Sequence, residues 1–208
     1  GAAGAGVAES GRVGGAGISG SPLTITNGGS IPGGEGGFAG GDTTSPDGAD
    51  GGTAISGHNL TISNLAGGVI TGGEGNYSGS RDNTNTSDGG NGGVGIFGDS
   101  LRINNSGSVV GGRGSFGSNG GANGAGGAAI SGSNLAIINN SVITGGAPYR
   151  SGGEAGAALS LTGGSNTLTL NTGSTITGDI RLADGTSDSA TTLQVVSNDA
   201  ANRAINGN

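Results

Sequence analysis

His58 is the single histidine of the chain and the one residue that could serve a serine nucleophile as its base. It follows Ile55 by three residues, and three similar stretches place Ser21, Asp99 and Ser133 in that slot. A turn residue is therefore expected there rather than a base. Glu35 and Glu74 stand at equal offsets in "GGEGG" and "GGEGN", but Arg113 and Ala147 take the same place further on, so no column of metal-binding carboxylates forms. The alternation does permit a Glu74–Arg113 ion pair, worth about 0–1 kcal/mol if exposed. A calcium-binding Gly-Gly-x-Gly-x-Asp repeat fails because "GGEGGF" lacks the aspartate. Asp42, Asp47, Asp50, Asp82 and Asp88 read as solvated loop charges. No catalytic, cofactor or metal residue is assigned, and no enzyme is expected. Contact chemistry is left: Phe38, Tyr77, Arg81, Arg113, Phe116, Tyr149 and Arg150 are aromatic and guanidinium groups of the kind that anchor interfaces.

Composition narrows the partners. The net charge is −7, every cation is an arginine, and aromatics make up 2% of the chain, so phosphate neutralisation with base stacking is not supported and no nucleic-acid partner is expected. Cysteine is absent, which removes any disulfide framework. No apolar run approaches the roughly 18 residues of a membrane span. The start, "GAAGAGVAES", has neither a charged beginning nor an apolar signal core, and reads as the middle of a longer protein, a processed product or a trimmed one.

With 54 glycines and 30% hydrophobic residues, a random order of this composition could not bury enough apolar surface to offset the ordering of so much glycine. Order must supply what composition does not, and a repeat does so. Ile18, Ile55, Ile96, Ile130 and Leu159 open five successive copies. Leu23, Leu60, Leu101 and Leu135 follow by five residues, with Leu168 after a longer gap. Ile25, Ile62, Ile103, Ile137 and Leu170 come two later, and Ile31, Ile70, Val109, Ile143 and Ile176 close each copy. The Leu-x-Ile step has the period of a strand with one face inward, and no stretch carries a helical pattern. Each copy cannot bury its own apolar face, so the copies must stack. The expectation is an all-β right-handed parallel β-helix with three short strands per coil and about five to seven coils. It forms one domain over 1–208, with 183–208 as a last coil or cap.

Two further columns follow from the register. Asn27, Asn64, Asn105 and Asn139 share one corner, with Thr172 in the fifth copy, and stacked amides there can bond along the axis. Nearly all length variation lies after the Gly-Gly, so loops project from a single corner and carry the contact residues named above.

The wording "AISGHNLTISN…GVITGG" and the later "LTLNTGSTITGDI" resemble the passenger domains of bacterial autotransporters, the type V secretion family, in its self-associating and adhesin branches. The likeness covers about residues 1–182. It implies secretion through the outer membrane to the cell surface or the medium, with membrane contact only through a translocator barrel that this chain lacks. Passengers that are proteases carry a Gly-Asp-Ser-Gly-Ser-Pro motif. Here "SGSPL" matches its tail, but Ile18 stands where the aspartate belongs, and "GDSL" at 98–101 lies inside a coil. The resemblance thus implies a non-enzymatic adhesion or self-association module whose partner is another copy of itself. A released ligand for a host cell-surface protein is the alternative.

Overall fold

The computed structural model describes residues 11–40, 47–79, 86–150, 153–182, 190–195 and 204–206; for 39–40, 78–79, 190–195 and 204–206 it gives backbone pairing alone. The chain forms a right-handed parallel β-helix, with three six-stranded sheets and no helix among the described residues. The first sheet stacks Ile18–Ser19, Ile55–His58, Ile96–Asp99, Ile130–Ser133, Leu159–Leu161 and Ile180–Leu182. The second stacks Thr24–Asn27, Thr61–Asn64, Arg102–Asn105, Ala136–Asn139, Ser165–Leu170 and Ala190–Val195. Ser30–Pro32, Val69–Thr71, Ser108–Val110, Val142–Thr144, Thr175–Thr177 and Ala204–Asn206 form the third.

Like pairs with like, as the repeat requires. Ile18, Ile55, Ile96, Ile130, Leu159 and Ile180 are consecutive register partners, as are Ile25, Ile62, Ile103 and Ile137. From the second coil to the fifth, these columns and the Ile70–Val109–Ile143–Ile176 column are buried, each large side chain contributing about 1.5–3 kcal/mol. The first coil is more open. Leu23, expected in the core with Leu60, Leu101 and Leu135, is 38% exposed because no described coil packs on its far side.

The fifth coil corrects the sequence register. Ile137 pairs with Leu168 and Asn139 with Leu170, two residues away from the expected Leu170 and Thr172. The two additional residues sit in the preceding corner, where Gly163 and Gly164 take φ of 136° and 68°. Buried Leu161 fills the core before that corner, and Asn166 Oδ1 accepts the Leu135 N–H at 3.0 Å.

A second body grows from the corner after the third sheet, where loops were expected. Segments 33–37, 72–76, 111–115 and 145–148 leave the third sheet, and segments 11–17, 48–54, 89–95, 124–129 and 153–158 return to the first. Both sets are extended, and their hydrogen bonds recur every third residue, the repeat of a polyproline-II-like helix. Within the outgoing column Gly36 N–H donates to Glu74 O, Gly75 to Arg113 O and Gly114 to Ala147 O, at 2.8, 2.9 and 3.1 Å. Within the returning column Gly14, Gly51, Gly92 and Gly126 donate to Asp50, Asn91, Ala125 and Glu154 oxygens at 2.8–2.9 Å. Between the columns runs a chain of glycine bonds, Gly34→Gly15, Gly52→Gly34, Gly73→Gly52, Gly93→Gly73, Gly112→Gly93, Gly127→Gly112, Gly146→Gly127 and Gly156→Gly146, each 2.7–2.9 Å. The helices lie so close that a Cβ on Gly73 or Gly112 would fall inside the carbonyl of the facing glycine. Glycine here removes side-chain volume and makes a packed lobe.

The lobe ends before the β-helix does. In coil five Thr177 reaches Ile180 through Gly178 and Asp179 alone, so that corner adds no further layer. Pro148 occupies the register of Gly36, Gly75 and Gly114, and has no N–H to leave without an acceptor.

Candidate functional site

The same three-residue register sorts the predicted contact residues. Glu35, Glu74, Arg113 and Ala147 align on the outer edge of the outgoing column, and three residues further Phe38, Tyr77, Phe116 and Arg150 align beside them. Each polyproline-type turn therefore presents one outward side chain at the same height as its neighbours. Phe38 and Tyr77, 40% and 52% exposed, meet edge to face with centroids 5.0 Å apart. Phe116 and Tyr149 meet at 5.6 Å, tilted by 45°. The Arg113 guanidinium lies 5.2 Å from the Tyr149 centroid, and Arg150 lies 5.3 Å from Phe116 and 5.4 Å from Tyr149, distances at which cations interact with ring faces.

Six of the seven expected contact residues thus form one edge in two clusters. Arg81 lies outside the described residues. The Glu74–Arg113 ion pair that the alternation permits is not made. Arg113 Nη2 turns the other way and donates to Tyr149 O at 2.8 Å, and the one ion pair among the described residues is Arg181–Asp179 at 3.6 Å. The edge is consequently bipolar, with exposed Glu35 and Glu74 beside the first aromatic pair and exposed Arg113 and Arg150 beside the second.

The asparagine column is a ladder. Asn27, Asn64 and Asn105 each donate through Nδ2 to Oδ1 of the next, ending at Asn139, at 2.8, 2.8 and 2.9 Å. All four are buried, and it stops where Leu170 replaces asparagine. These residues do not carry the unusual backbone angles of the corners. Asn59, Ser100 and Asn134 do, with φ of 54°, 56° and 52° at the corner between the first and second sheets. Outside the core a second row runs the opposite way, Asn171 to Asn140 to Asn104, at 2.6 and 2.8 Å.

Asp47, Asp50 and Asp88 have structural work, while Asp42 and Asp82 lie outside the described residues. Asp47 and Asp50 accept the N–H groups of Asp88 and Asn91 at 2.8 and 2.6 Å, and Asp88 and Asn91 accept those of Ala122 and Ala125 at 2.7 and 2.8 Å. Each carboxylate or amide thus caps the backbone of the next layer of the lobe. Among the described residues no group of three or more metal-ligating side chains gathers.

His58 is exposed on the first sheet, with Asp99 as its register partner, and its backbone N–H donates to Ser21 Oγ at 2.6 Å. Ser133, Asn134 and Ser100 donate to the Asp99 carboxylate at 2.6, 2.8 and 2.7 Å and hold its pKa down at about 2. Asp99 is thus fully engaged in tying two turns together, and Ser100 Oγ is a donor to it. Two features escaped the sequence reading. Phe97 stands 49% exposed on the first sheet, away from the loops that were expected to hold the aromatics. A shallow cleft crosses the second sheet between Arg102 and Thr167, where Ala136 breaks a column of larger side chains. No protein-family model, curated protein or solved structure matches the chain.

Proposed function

We propose that the chain is a non-enzymatic self-association and adhesion module. It is secreted or displayed at a bacterial surface, in the manner of the autotransporter passengers its repeat wording resembles. The bipolar edge of the glycine lobe carries this reading. Turned through a two-fold axis across the edge, a second copy places its Arg113 and Arg150 against Glu35 and Glu74, and its aromatic pairs against the first copy's. Such an isologous contact is what one patch needs in order to recognise itself. Its charges set orientation and salt dependence, while the rings supply anchors. The lobe suits the role because its interlocked backbone holds the side chains at fixed heights without a hydrophobic core of its own.

Sedimentation of the full chain at low and high salt tests this. Reversible dimers that weaken with salt are expected. A Glu35→Arg/Glu74→Arg chain and an Arg113→Glu/Arg150→Glu chain should each stay monomeric and should dimerise when mixed. A wild-type chain that remains monomeric at low salt overturns the reading. If that monomer binds cultured cells through the same edge, the chain is a ligand for a host-cell surface protein, a role that the arginine and tyrosine cluster also fits.

A further inference from the structure

The outward face of the second sheet carries hydroxyls or amides in the first, second, third and fifth coils, Ala136 and Ile138 in the fourth, and no carboxylate in any of the five, on a chain whose net charge is −7. Its one charge is Arg102. That guanidinium is exposed and makes no hydrogen bond or ion pair with the described residues. In register, Thr61 lies on one side of Arg102 and Ala136 on the other, with Thr167 beyond Ala136, and the small Ala136 side chain opens a cleft between Arg102 and Thr167. Ile138, 44% exposed, forms an apolar wall, and the Thr61, Ser63 and Thr167 hydroxyls line the rest.

We propose that this cleft binds one anionic sugar unit of a saccharide, with the Arg102 guanidinium on its carboxylate or sulfate. The chemistry of each wall matches one part of such a unit. A guanidinium presents a fork of donors to a planar carboxylate or to sulfate oxygens. Hydroxyl side chains both donate to and accept from ring hydroxyls. Ala136 and Ile138 take the C–H face of the ring. A peptide strand is a poorer occupant, because the strands that line the cleft are already paired on both sides and offer no edge there for strand addition. A polyanion held by charge alone would need several cations, and this face has one. The site is separate from the lobe edge, so it stands or falls independently of self-association.

The full chain is titrated calorimetrically with four hexamers: a uronate saccharide, a sulfated saccharide, a neutral glucan and an acidic peptide. Binding of either anionic saccharide, with the neutral glucan and the peptide silent, is expected; which of the two binds identifies the anion. Arg102→Gln removes a charge-assisted contact and should weaken binding about tenfold to a hundredfold. Ala136→Thr refills the cleft with the residue that the next coil carries in register, Thr167, so it should leave the thermal melt in place and abolish binding. Neither variant should alter dimerisation. The proposal fails if no anionic saccharide binds, if the neutral glucan or the peptide binds as tightly, or if both variants bind like wild type. It fails too if binding is lost only in the Arg113→Glu/Arg150→Glu chain, which would place the saccharide on the lobe edge.

Discussion

Replacing Gly112 by alanine adds one methyl group to an extended backbone with ordinary φ, and in most loops that would raise stability slightly. In the lobe the added Cβ would lie inside the Gly73 carbonyl oxygen and 2.7 Å from Gly93 N. Both neighbours are backbone held in the glycine lattice, so the strands of the lobe must part. Three bonds meet at this point: Gly112 N–H to Gly93 O at 2.8 Å, Gly93 N–H to Gly73 O at 2.8 Å and Gly127 N–H to Gly112 O at 2.9 Å. At about 0.5–1.5 kcal/mol each, with an added penalty for any group left dry and unpaired, the cost is about 3–5 kcal/mol. For a chain of this size that lowers the melting midpoint by roughly 6–20 °C. Gly29→Ala is the matched control, since nothing lies within 4 Å of its Cβ position. It should leave the midpoint unchanged or raise it by roughly 1–4 °C. Circular dichroism melts of the two variants read the difference, and amide exchange should place the damage at Gly73, Gly93 and Gly127. A Gly112→Ala chain that melts with Gly29→Ala would refute the close-packed lobe.

Asn105→Ala removes two donor and two acceptor contacts of a fully buried amide, to Asn139, Val142, Asn64 and Gly107, and should cost about 3–5 kcal/mol. Asn27→Ala at the open first coil should cost less, so equal melts for the two would argue against the ladder. The folded-state pKa of Asp99 is depressed from 3.8 to about 2. Its stabilising effect is therefore complete above pH 4 and is lost as pH falls toward 2. Asp99→Asn should flatten the wild-type decline of melting midpoint across that window, and an unchanged slope would show that the turn bonds do not favour the charged form. Dimer dissociation by salt should be as steep for a Phe38→Ala/Tyr77→Ala chain, measured near its own weaker midpoint, as for wild type, because only the ring contribution has been removed and the charges that set the salt dependence remain.

The β-helix was legible because burial forces it to be. A period-two Leu-x-Ile step needs an inward face, and identical offsets of Ile55, Ile96 and Ile130 leave stacking as the way to cover it. The fifth coil misled for a related reason. Leu168 and Leu170 fit the apolar spacing, but register is fixed by corner length, and Gly163 and Gly164 add length without an apolar signal. The lobe was hidden by treating glycine as freedom. Its mark is in the sequence, as Gly33, Gly34, Gly36 and Gly37 and again as Gly89, Gly90, Gly92 and Gly93. Two of every three positions lack a side chain, which is the pattern of three-fold helices packed on several sides. The same spacing of three would have aligned Glu35 with Phe38, Glu74 with Tyr77 and Arg113 with Phe116, and so grouped the edge residues before any coordinates. The direction in which Arg113 turns was not legible, since it depends on Tyr149 from the next layer.

Pro148 lets the two stacked bodies have different heights. A layer of the lobe closes on a residue that asks for no successor, while the sheets beneath it go on through a two-residue bend. Growth of one body is thereby uncoupled from growth of the other, much as a bracket can be shortened without cutting the post it hangs from. Trimming a layer would require only the Gly-Asp bend in place of the excursion and a proline moved up one storey. Chains with fewer or more storeys on an unchanged post would then set how far the interacting edge extends along the molecule.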